Sequence, residues 1–426
     1  MLQVNFIREN KERVLAGLAT RNYKGERLAI VDEVLALDDC RKSTQTELDA
    51  MLANNNKLSK EIGGLYRQGK RDEAEGLKAQ VESQKSKVKE LEATMRQIKT
   101  DLTNGLLEIP NVPHPNVPPG NSDEDNEVFQ DWNKELLDLG ETALPHWELG
   151  KKYNLFDFEL GVKITGAGFP LFRGKGARLQ RGLINFFLDE AAKAGYEEII
   201  PPLLVNEDSA RATGQLPDKE GQMYHATKDN LYLIPTAEVP VTNVYRDVII
   251  NEKDFPIKMT GHTPCFRREA GSYGKEVKGL NRVHQFDKVE VVQIVHPEKS
   301  YEVLQEMVKH VEGLLIKLGL PYRILTLCGG DLGFTAALTY DFEVYSAAQK
   351  RWLEVSSVSN FETFQSNRLK VRFKGANKKT QLAHTLNGSA LALARIVAAL
   401  LENNQTEEGI KLPEVLHRYV GMEVID

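Results

Sequence analysis

The sequence predicts an α+β protein in which an antiparallel β-sheet flanked by helices follows an N-terminal antiparallel arm of two coiled-coil helices. Three observations support this prediction. Residues 34–102 carry heptad spacing without a proline. Prolines then crowd residues 110–119. Beyond them, helical and strand-like segments mix without the glycine fingerprint of a dinucleotide-binding fold or a phosphate-binding P-loop.

The arm is indicated by apolar residues in alternating steps of four and three, which is the a/d pattern of a coiled coil. A weaker series runs from Val34 to Leu65, and a glycine-rich stretch at residues 63–69 predicts the turn between two helices. An arm of about 35–40 residues would be roughly 55 Å long. The stronger series comprises Leu77, Val81, Gln84, Val88, Leu91, Met95, Ile98 and Leu102.

The arm is locally basic. Residues 41–100 hold 13 Lys/Arg against 9 Asp/Glu, although the whole chain has a net charge of -6. A basic arm suits contact with a nucleic-acid backbone. This segment alone leaves open a dimerisation or scaffold coiled coil with a solvated charged face. The candidate contacts are Lys57, Lys60, Arg67, Lys70, Arg71 and Lys78.

The prolines define the predicted division of the chain, because neither a helix nor a central strand continues through them. We predict an N-terminal domain at residues 1–108, with the helical hairpin at about 27–102. A linker at 109–125 follows, and a second domain occupies residues 126–426.

Composition narrows the class of protein. A hydrophobic fraction of 41% and a charged fraction of 27% are typical of a soluble globular chain. No apolar run approaches the ~20 residues that span a bilayer, and the N-terminus lacks a signal-peptide core. Cys40, Cys265 and Cys328 are widely separated, which argues against a disulfide framework and a Cys-based zinc site. We therefore expect a cytoplasmic protein with no membrane partner.

Residues 264–290 contain the most informative pattern. A strand-like run with two arginines, Phe266-Arg267-Arg268-Glu269, leads into a loop with glycine and lysine at residues 271–279. A second strand-like run, Arg282-Val283-His284-Gln285-Phe286, follows. The planar guanidinium group of arginine binds phosphate through several N–H donors, and a phenylalanine ring can stack on a base. The pattern alone also fits an ordinary charged hairpin.

The first of these runs resembles the second signature motif of class II aminoacyl-tRNA synthetases, and residues 279–286 resemble the bacterial type of seryl-tRNA synthetase. Three further segments fit that family in order: residues 235–238 (PTAE), 354–360 (EVSSVSN) and 385–395 (TLNGSALALAR). A helix predicted at 177–194 and a strand at 197–202 resemble the first class II motif, with Pro202 as its proline.

The resemblance implies activation of L-serine by ATP and transfer of serine to the 3′ end of tRNA(Ser), and also of tRNA(Sec). It implies Mg²⁺ but no zinc, a homodimer built through the first motif around Pro202, and an arm that contacts tRNA. Two alternatives are a class II paralogue that charges a carrier protein and a non-catalytic coiled-coil interaction protein. The long arm argues against the first. The presence of Arg267, Glu269, Glu354 and Arg395 argues against the second.

The resemblance assigns the catalytic roles to two arginines: Arg267 bridges the α-phosphate and the serine carboxylate, and Arg395 reaches the γ-phosphate. Phe286 stacks on adenine, with Arg395 on the other side of the base. Glu354 and Ser357 resemble Mg²⁺ ligands. Residues three apart in a regular strand face opposite sides, so a shared ion requires a bend or bulge between these two. The full ATP-binding set is Arg267, Arg268, Glu269, Arg282, Phe286, Glu354, Val355, Ser356, Ser357 and Arg395.

The serine-binding residues implied by the resemblance include Glu290 and Ser389, which we expect to recognise the serine hydroxyl group. Thr385 and Ser359 offer chemistry similar to that of Ser389. No general base is evident, and His284 and His262 are interpreted as structural. The serine-binding set is Thr236, Ala237, Glu238, Arg267, Glu290 and Ser389.

Overall fold

The computed structural model describes residues 1–269, 278–375 and 378–426. These form two compact units, residues 1–19 with 23–110 and residues 20–22 with 111–426. The helices of the described residues are α1 (Val4–Glu9), α2 (Lys11–Thr20), α3 (Glu26–Arg67), α4 (Arg71–Glu108), α5 (His146–Lys152), α6 (Phe158–Ile164), α7 (Gly174–Lys193), α8 (Glu207–Thr213), α9 (Glu238–Asn243), α10 (Ser300–Leu318), α11 (Phe364–Leu369), α12 (Leu393–Asn403) and α13 (Glu414–Val420).

The strands of the described residues are β1 (Glu127–Gln130), β2 (Phe156–Asp157), β3 (Leu171–Phe172), β4 (Glu197–Glu198), β5 (Leu204–Asn206), β6 (His225–Ala226), β7 (Leu231–Leu233), β8 (Ile249–Asn251), β9 (Ile257–Phe266), β10 (Gln285–Val295), β11 (Tyr322–Thr326), β12 (Leu338–Ser346), β13 (Arg351–Asn360), β14 (Arg372–Lys374), β15 (Thr380–Leu382), β16 (His384–Ala392), β17 (Gln405–Thr406), β18 (Gly409–Lys411) and β19 (Val424–Ile425).

The first unit is dominated by the arm, in which α3 packs along α4. Every residue of the stronger heptad series is buried or half-buried, as a coiled-coil seam requires. Across the hairpin, the Asn54 amide donates to the Gln84 carbonyl oxygen at 3.3 Å and the Tyr66 hydroxyl donates to Glu75 at 2.5 Å. The turn is shorter than the glycines predict, because α3 continues to Arg67 and only Gly69, with a φ of +78°, adopts a left-handed conformation.

The second unit is built on an eight-stranded sheet with the order β1-β11-β12-β13-β16-β10-β9-β4. All neighbours in it are antiparallel except β4 and β9. Helices α10 and α12 pack on this sheet and form its main core with α7. Within the described ranges, no helix combines the length and apolar character needed to cross a bilayer.

The segment that resembles the first class II motif differs in detail from its prediction. The helix α7 begins three residues earlier than expected, at Gly174, and the strand β4 ends at Glu198 instead of residue 202. Pro201 and Pro202 lack the N–H group that a ladder needs, so strand pairing ends before them.

Two irregularities in the sheet shape its central strands. In β13, Phe342 pairs with Ser356 and Glu343 with Glu354, which leaves Val355 as an extra residue. In β16, Lys288 pairs with Ala392 and Glu290 with Ser389, so this strand also carries an extra residue. Leu391 there has a φ of +87°, which is strained for a side chain of this shape. The second bulge lies immediately before α12.

Candidate active site

The sheet register places two of the predicted serine-binding residues, Glu290 and Ser389, on one face with the predicted Mg²⁺ ligands. Glu290 lies opposite Ser389, and Ser359 lies opposite Asn387 two residues along the same strand. Directly opposed residues share a face, as do residues two apart in a strand. Ser357 therefore faces the same side of the sheet as Glu290.

The bulge in β13 brings Glu354 onto this face as well. Glu354 and Ser357 lie opposite Glu343 and Asp341, which are two residues apart in the unbulged strand β12 and so point the same way. The irregularity required between the two predicted Mg²⁺ ligands is therefore present. Four oxygen-bearing side chains occupy neighbouring positions on one side of the sheet.

The two predicted catalytic arginines are held by backbone carbonyl groups. The Arg267 Nε donates to the Pro235 carbonyl oxygen at 3.3 Å, and its guanidinium lies 5.2 Å from the centre of the Phe286 ring. Arg395 donates from Nη1 to the Glu354 carbonyl oxygen at 2.6 Å. Arg267 thus stacks on the Phe286 ring, the ring that the resemblance assigns to adenine.

The remaining residues of the second motif form a more exposed group. The exposed Arg268 lies 5.8 Å from the centre of the Tyr224 ring. Glu269 forms an ion pair with Arg282. Most of the predicted loop at 271–279 lies outside the described residues, so the structure places only its last two residues, Lys278 and Gly279.

Unlike Glu354 and Ser357 on either side of them, Val355 and Ser356 have buried side chains. Ser356 lies opposite Phe342, on the other side of the sheet from Ser357, and donates to the Ser389 carbonyl oxygen at 2.6 Å. Only the main chain of these two residues is left to meet a nucleotide on the face that carries Glu354.

Glu290 occupies a buried polar pocket with Thr236 and Lys288. The Lys288 Nζ lies 2.6 Å from a Glu290 carboxylate oxygen, and both residues are almost fully buried. The Thr236 hydroxyl donates to the same oxygen at 3.2 Å and accepts from the Glu238 N–H group at 3.2 Å. Ala237, between them in the chain, is fully buried. The lysine supplies the positive charge that a buried carboxylate requires.

A second carboxylate in this pocket, Glu238, forms no ion pair with any described lysine or arginine. Burial, followed by the nearby charge of Glu290, raises the pKa of Glu238 to about 7. Its Oε1 accepts from the Gln365 amide at 2.6 Å, and Gln365 in turn accepts from the Thr385 hydroxyl at 2.8 Å. Ser359 and Thr339 share a hydrogen bond of 2.9 Å between their hydroxyl groups. Because Thr385 and Ser359 are engaged elsewhere, Ser389 remains the favoured hydroxyl of the three.

Sequence reasoning missed three residues of this face: Lys288, Gln365 and Asp341. Lys288 was detectable in principle, since it alternates with Phe286 and Glu290 and so shares their face. Nothing in the local sequence of Gln365 or Asp341 indicates their positions. Burial and the neighbouring Glu354 raise the pKa of Asp341 well above its usual range, and among the described residues its Oδ1 has no hydrogen-bond partner.

The two histidines interpreted as structural have local hydrogen-bond partners. The His284 Nδ1 lies 3.0 Å from the Arg267 carbonyl oxygen and 3.2 Å from the Tyr224 hydroxyl. The His262 Nε2 lies 2.7 Å from Asp287. Both arrangements support the strands that carry the arginines.

The predicted tRNA contacts on the arm are all exposed. Two of the six pair with acids on their own helix or at the turn: Lys70 with Glu73 at 3.2 Å and Lys78 with Glu75 at 3.5 Å. Within residues 1–269, all of which are described, the other four have no ion-pair partner. These are Lys57, Lys60, Arg67 and Arg71.

Comparison with known proteins identifies the family. A family model described as the seryl-tRNA synthetase N-terminal domain matches residues 1–113, and one described as the class II tRNA synthetase core domain (G, H, P, S and T) matches residues 222–404. The chain is 49% identical to a serine--tRNA ligase of Salinibacter ruber over 423 residues, covering 99% of this chain and 98% of the relative. The chain belongs to the seryl-tRNA synthetase family. A serine--tRNA ligase of Chlorobium phaeobacteroides is 44% identical over 429 residues, with both chains fully covered.

A solved structure agrees with these relatives. The seryl-tRNA synthetase from Pyrococcus horikoshii, complexed with ATP, matches with a TM-score of 0.91 at 33% identity, covering 100% of this chain and 99% of that one. The predicted fold class and the predicted enzyme, a seryl-tRNA synthetase with a coiled-coil arm, are therefore confirmed. In the described part of the chain, no three His, Cys, Asp or Glu side chains converge as a self-contained metal site.

The raised pKa of Glu238 predicts a pH-dependent stability. A group whose pKa rises on folding stabilises the folded state fully below its ordinary value of 4.5, and this contribution is lost as the pH rises through about 7. The wild-type protein should lose about 3 kcal/mol of unfolding free energy relative to Glu238→Gln between pH 4.5 and pH 8. Denaturant unfolding of both proteins across this range measures the difference. A difference that does not change with pH would contradict the account of this pocket.

Proposed function

We propose that this seryl-tRNA synthetase uses ATP to convert L-serine to seryl-adenylate, and transfers the seryl group to the 3′ end of tRNA(Ser) and of any tRNA(Sec) in its cell. The observation that carries this proposal is the lysine-paired carboxylate of Glu290, buried on the sheet face that also carries the Phe286 ring on which Arg267 stacks. The names of the relatives and the ATP complex of the Pyrococcus horikoshii enzyme support it.

Serine selection follows from the pocket. Glu290 offers an acceptor to the serine hydroxyl, and Ser389 lies directly opposite it in the sheet. Alanine would leave these buried polar groups unpaired, a penalty of about 10⁴-fold in favourable sites. Glu238 binds the serine ammonium group. The positive charge of that group offsets the cost of burying the Glu238 carboxylate.

The activation step requires positioning and positive charge more than a base. The serine carboxylate attacks the α-phosphorus of ATP and pyrophosphate leaves, so negative charge builds on the phosphate oxygens. Arg267 holds the α-phosphate and the serine carboxylate in line, and Arg395 binds the leaving phosphates. Phe286 stacks on adenine, Arg268 and Glu269 complete the nucleotide contacts, and Arg282 assists at the phosphates.

The oxygen donors on β12 and β13 fit Mg²⁺. Glu354 and Ser357 would hold the ion, and the unpartnered oxygen of Asp341 beside them is the atom that a nearby cation would stabilise. Bound there with ATP, the ion would neutralise charge on the phosphates. These hard oxygen ligands favour Mg²⁺ over zinc, and we propose that the enzyme requires no zinc.

The arm and a homodimer complete the proposal. The arm binds tRNA through its exposed basic residues, and the dimer forms through the segment around Pro202. Support for the dimer comes from apolar side chains that this segment and its surroundings expose: Ile200 at 88%, Leu204 at 44% and Val244 at 52%. Protein synthesis and the free cysteines support a cytoplasmic location.

Removing Arg395 should abolish activation without unfolding the protein. Arg395→Ala is expected to lower serine-dependent ATP–pyrophosphate exchange by at least about 10²-fold, because a cation on the leaving phosphates is lost. Arg267→Ala should be at least as severe, since one side chain serves both substrates. Arg372→Ala, on a separate small sheet, is the control for loss of charge. Near-normal exchange by a folded Arg395→Ala protein would remove this residue from the site.

Shortening the arm should separate activation from tRNA charging. The cross-hairpin bonds between Asn54 and Gln84 and between Tyr66 and Glu75 set Leu48 roughly opposite Leu91. Replacing residues 49–90 by a short turn therefore keeps the base of the seam and removes all six candidate contacts. Pyrophosphate exchange should persist, whereas charging of tRNA(Ser) should fall by orders of magnitude.

A point variant tests the charges themselves. Replacing Lys57, Lys60 and Arg67 by Gln should weaken tRNA binding and reduce its salt dependence. The matched control replaces Lys85, Lys87 and Lys89, the first two of which pair with acids on the same helix. If the enzyme shortened at residues 49–90 charged tRNA(Ser) as well as the wild type does, the arm would serve another purpose.

An acid at Ile200 should disrupt the dimer. Ile200→Asp would place a charge in an apolar interface, so size-exclusion chromatography with light scattering should report a monomer where the wild type gives a dimer. Ile316→Asp, at an isoleucine that is 59% exposed on α10, is the control. A dimeric Ile200→Asp protein would place the interface elsewhere.

A further inference from the structure

Both ends of the helix α12 are linked to one short turn, one end directly and the other through a histidine. We call residues Gly279–Asn281 the anchor turn; it directly precedes Arg282. At the beginning of α12, the Arg395 Nε donates to the Asn281 carbonyl oxygen at 2.9 Å. Glu402 lies seven residues further on, so it projects from the same side of the helix. It reaches the anchor turn through a buried histidine.

That histidine is His146, at the beginning of α5. Its backbone N–H and its ring Nδ1 lie 2.9 and 2.6 Å from one carboxylate oxygen of Glu402. Both side chains are completely buried. The Leu280 N–H group donates to the other ring nitrogen, Nε2, at 2.8 Å. An Nε2 that accepts a hydrogen bond carries no proton, so Nδ1 holds the proton and donates it to Glu402.

A second path joins the same carboxylate to the anchor turn. The Gln349 amide donates to Glu402 at 2.9 Å, and its carbonyl oxygen accepts from the Asn281 side chain at 2.9 Å. The fit to the histidine is tight, because a Cβ at Gly279 would lie 2.2 Å from the His146 Nε2. One buried carboxylate therefore fixes both the main chain and a side chain of the anchor turn.

We propose that the His146–Glu402 pair is a positioning device that holds the anchor turn, and through the Asn281 carbonyl group holds Arg395, in the geometry that binds the ATP phosphates. Both side chains are fully buried, so we assign them no contact with substrate. The inference rests on the proposed role of Arg395 in ATP binding. It adds two residues outside the signature motifs, one of them in α5, far from the others in sequence.

The variant His146→Asn tests this role. Asparagine can retain a donor close to the position of Nδ1, but it has no acceptor for the Leu280 N–H group. We expect the Kd of ATP, measured by calorimetry, and the KM for ATP in pyrophosphate exchange to rise about tenfold, with the KM for serine unchanged within about twofold. Gln349→Leu removes the second path at a less buried position and should act in the same direction. His384→Asn is the matched control, because His384 lies on β16 and its ring is hydrogen-bonded to Ser300 of α10.

A double-mutant cycle distinguishes positioning from general loss of packing. In an Arg395→Ala background, His146→Asn should change the Kd of ATP by no more than about twofold, because its effect acts through Arg395. The proposal would be overturned if His146→Asn weakened ATP binding as much in the Arg395→Ala background as in the wild type, or if it raised the KM values for ATP and serine equally. If Arg395→Ala weakened ATP binding and neither His146→Asn nor Gln349→Leu did so, only the positioning role would fail. Unchanged ATP binding by Arg395→Ala would overturn the proposed site as well.

Discussion

The register of the central sheet, with its two bulges, is the constraint on which the site depends. Without the extra residue at Val355, Glu354 would face away from Ser357 and Asp341. The second bulge, around the strained Leu391, lies where the chain leaves Ser389 and enters α12, the helix that carries Arg395. Strain of this kind persists only where surrounding packing enforces it, and here both bulged strands are central in the sheet.

Two carboxylates that are costly to bury, Glu290 and Glu238, lie in the same pocket, and they are compensated to different degrees. Glu290 is compensated by Lys288, whereas the hydrogen-bond partners of Glu238 among the described residues are amides, and its pKa is raised to about 7. A carboxylate that is already paired can orient a neutral hydroxyl group, while an uncompensated one favours an arriving cation. The proposed site uses this difference to match the two ends of serine, its hydroxyl and its ammonium group, to two chemically similar side chains. The positioning of Arg395 by buried groups extends this logic to the phosphates.

The sequence predicted the elements that depend on local periodicity or on compact motifs. The heptads located the arm, because a two-helix seam needs nothing beyond α3 and α4, and the motif around Arg267 indicated the family. The sequence required a bulge between Glu354 and Ser357 but could not locate it, since a bulge is a property of two strands. Gln365 and the His146–Glu402 pair were missed because their partners are distant in the chain, whereas Lys288, only two residues from Glu290, could have been found from strand alternation. The early end of β4 at Glu198 followed from Pro201 and Pro202, whose effect on strand pairing the prediction underestimated.

We propose that the buried, lysine-paired carboxylate of Glu290 selects the amino acid by its hydroxyl group. ATP–pyrophosphate exchange by the wild-type enzyme with serine, alanine and the other amino acids, each in turn, tests it most directly. We expect exchange with serine, and with alanine a kcat/KM lower by about 10⁴-fold, because alanine leaves the polar groups around Glu290 unpaired. Exchange with alanine or glycine at a rate close to that with serine would contradict it.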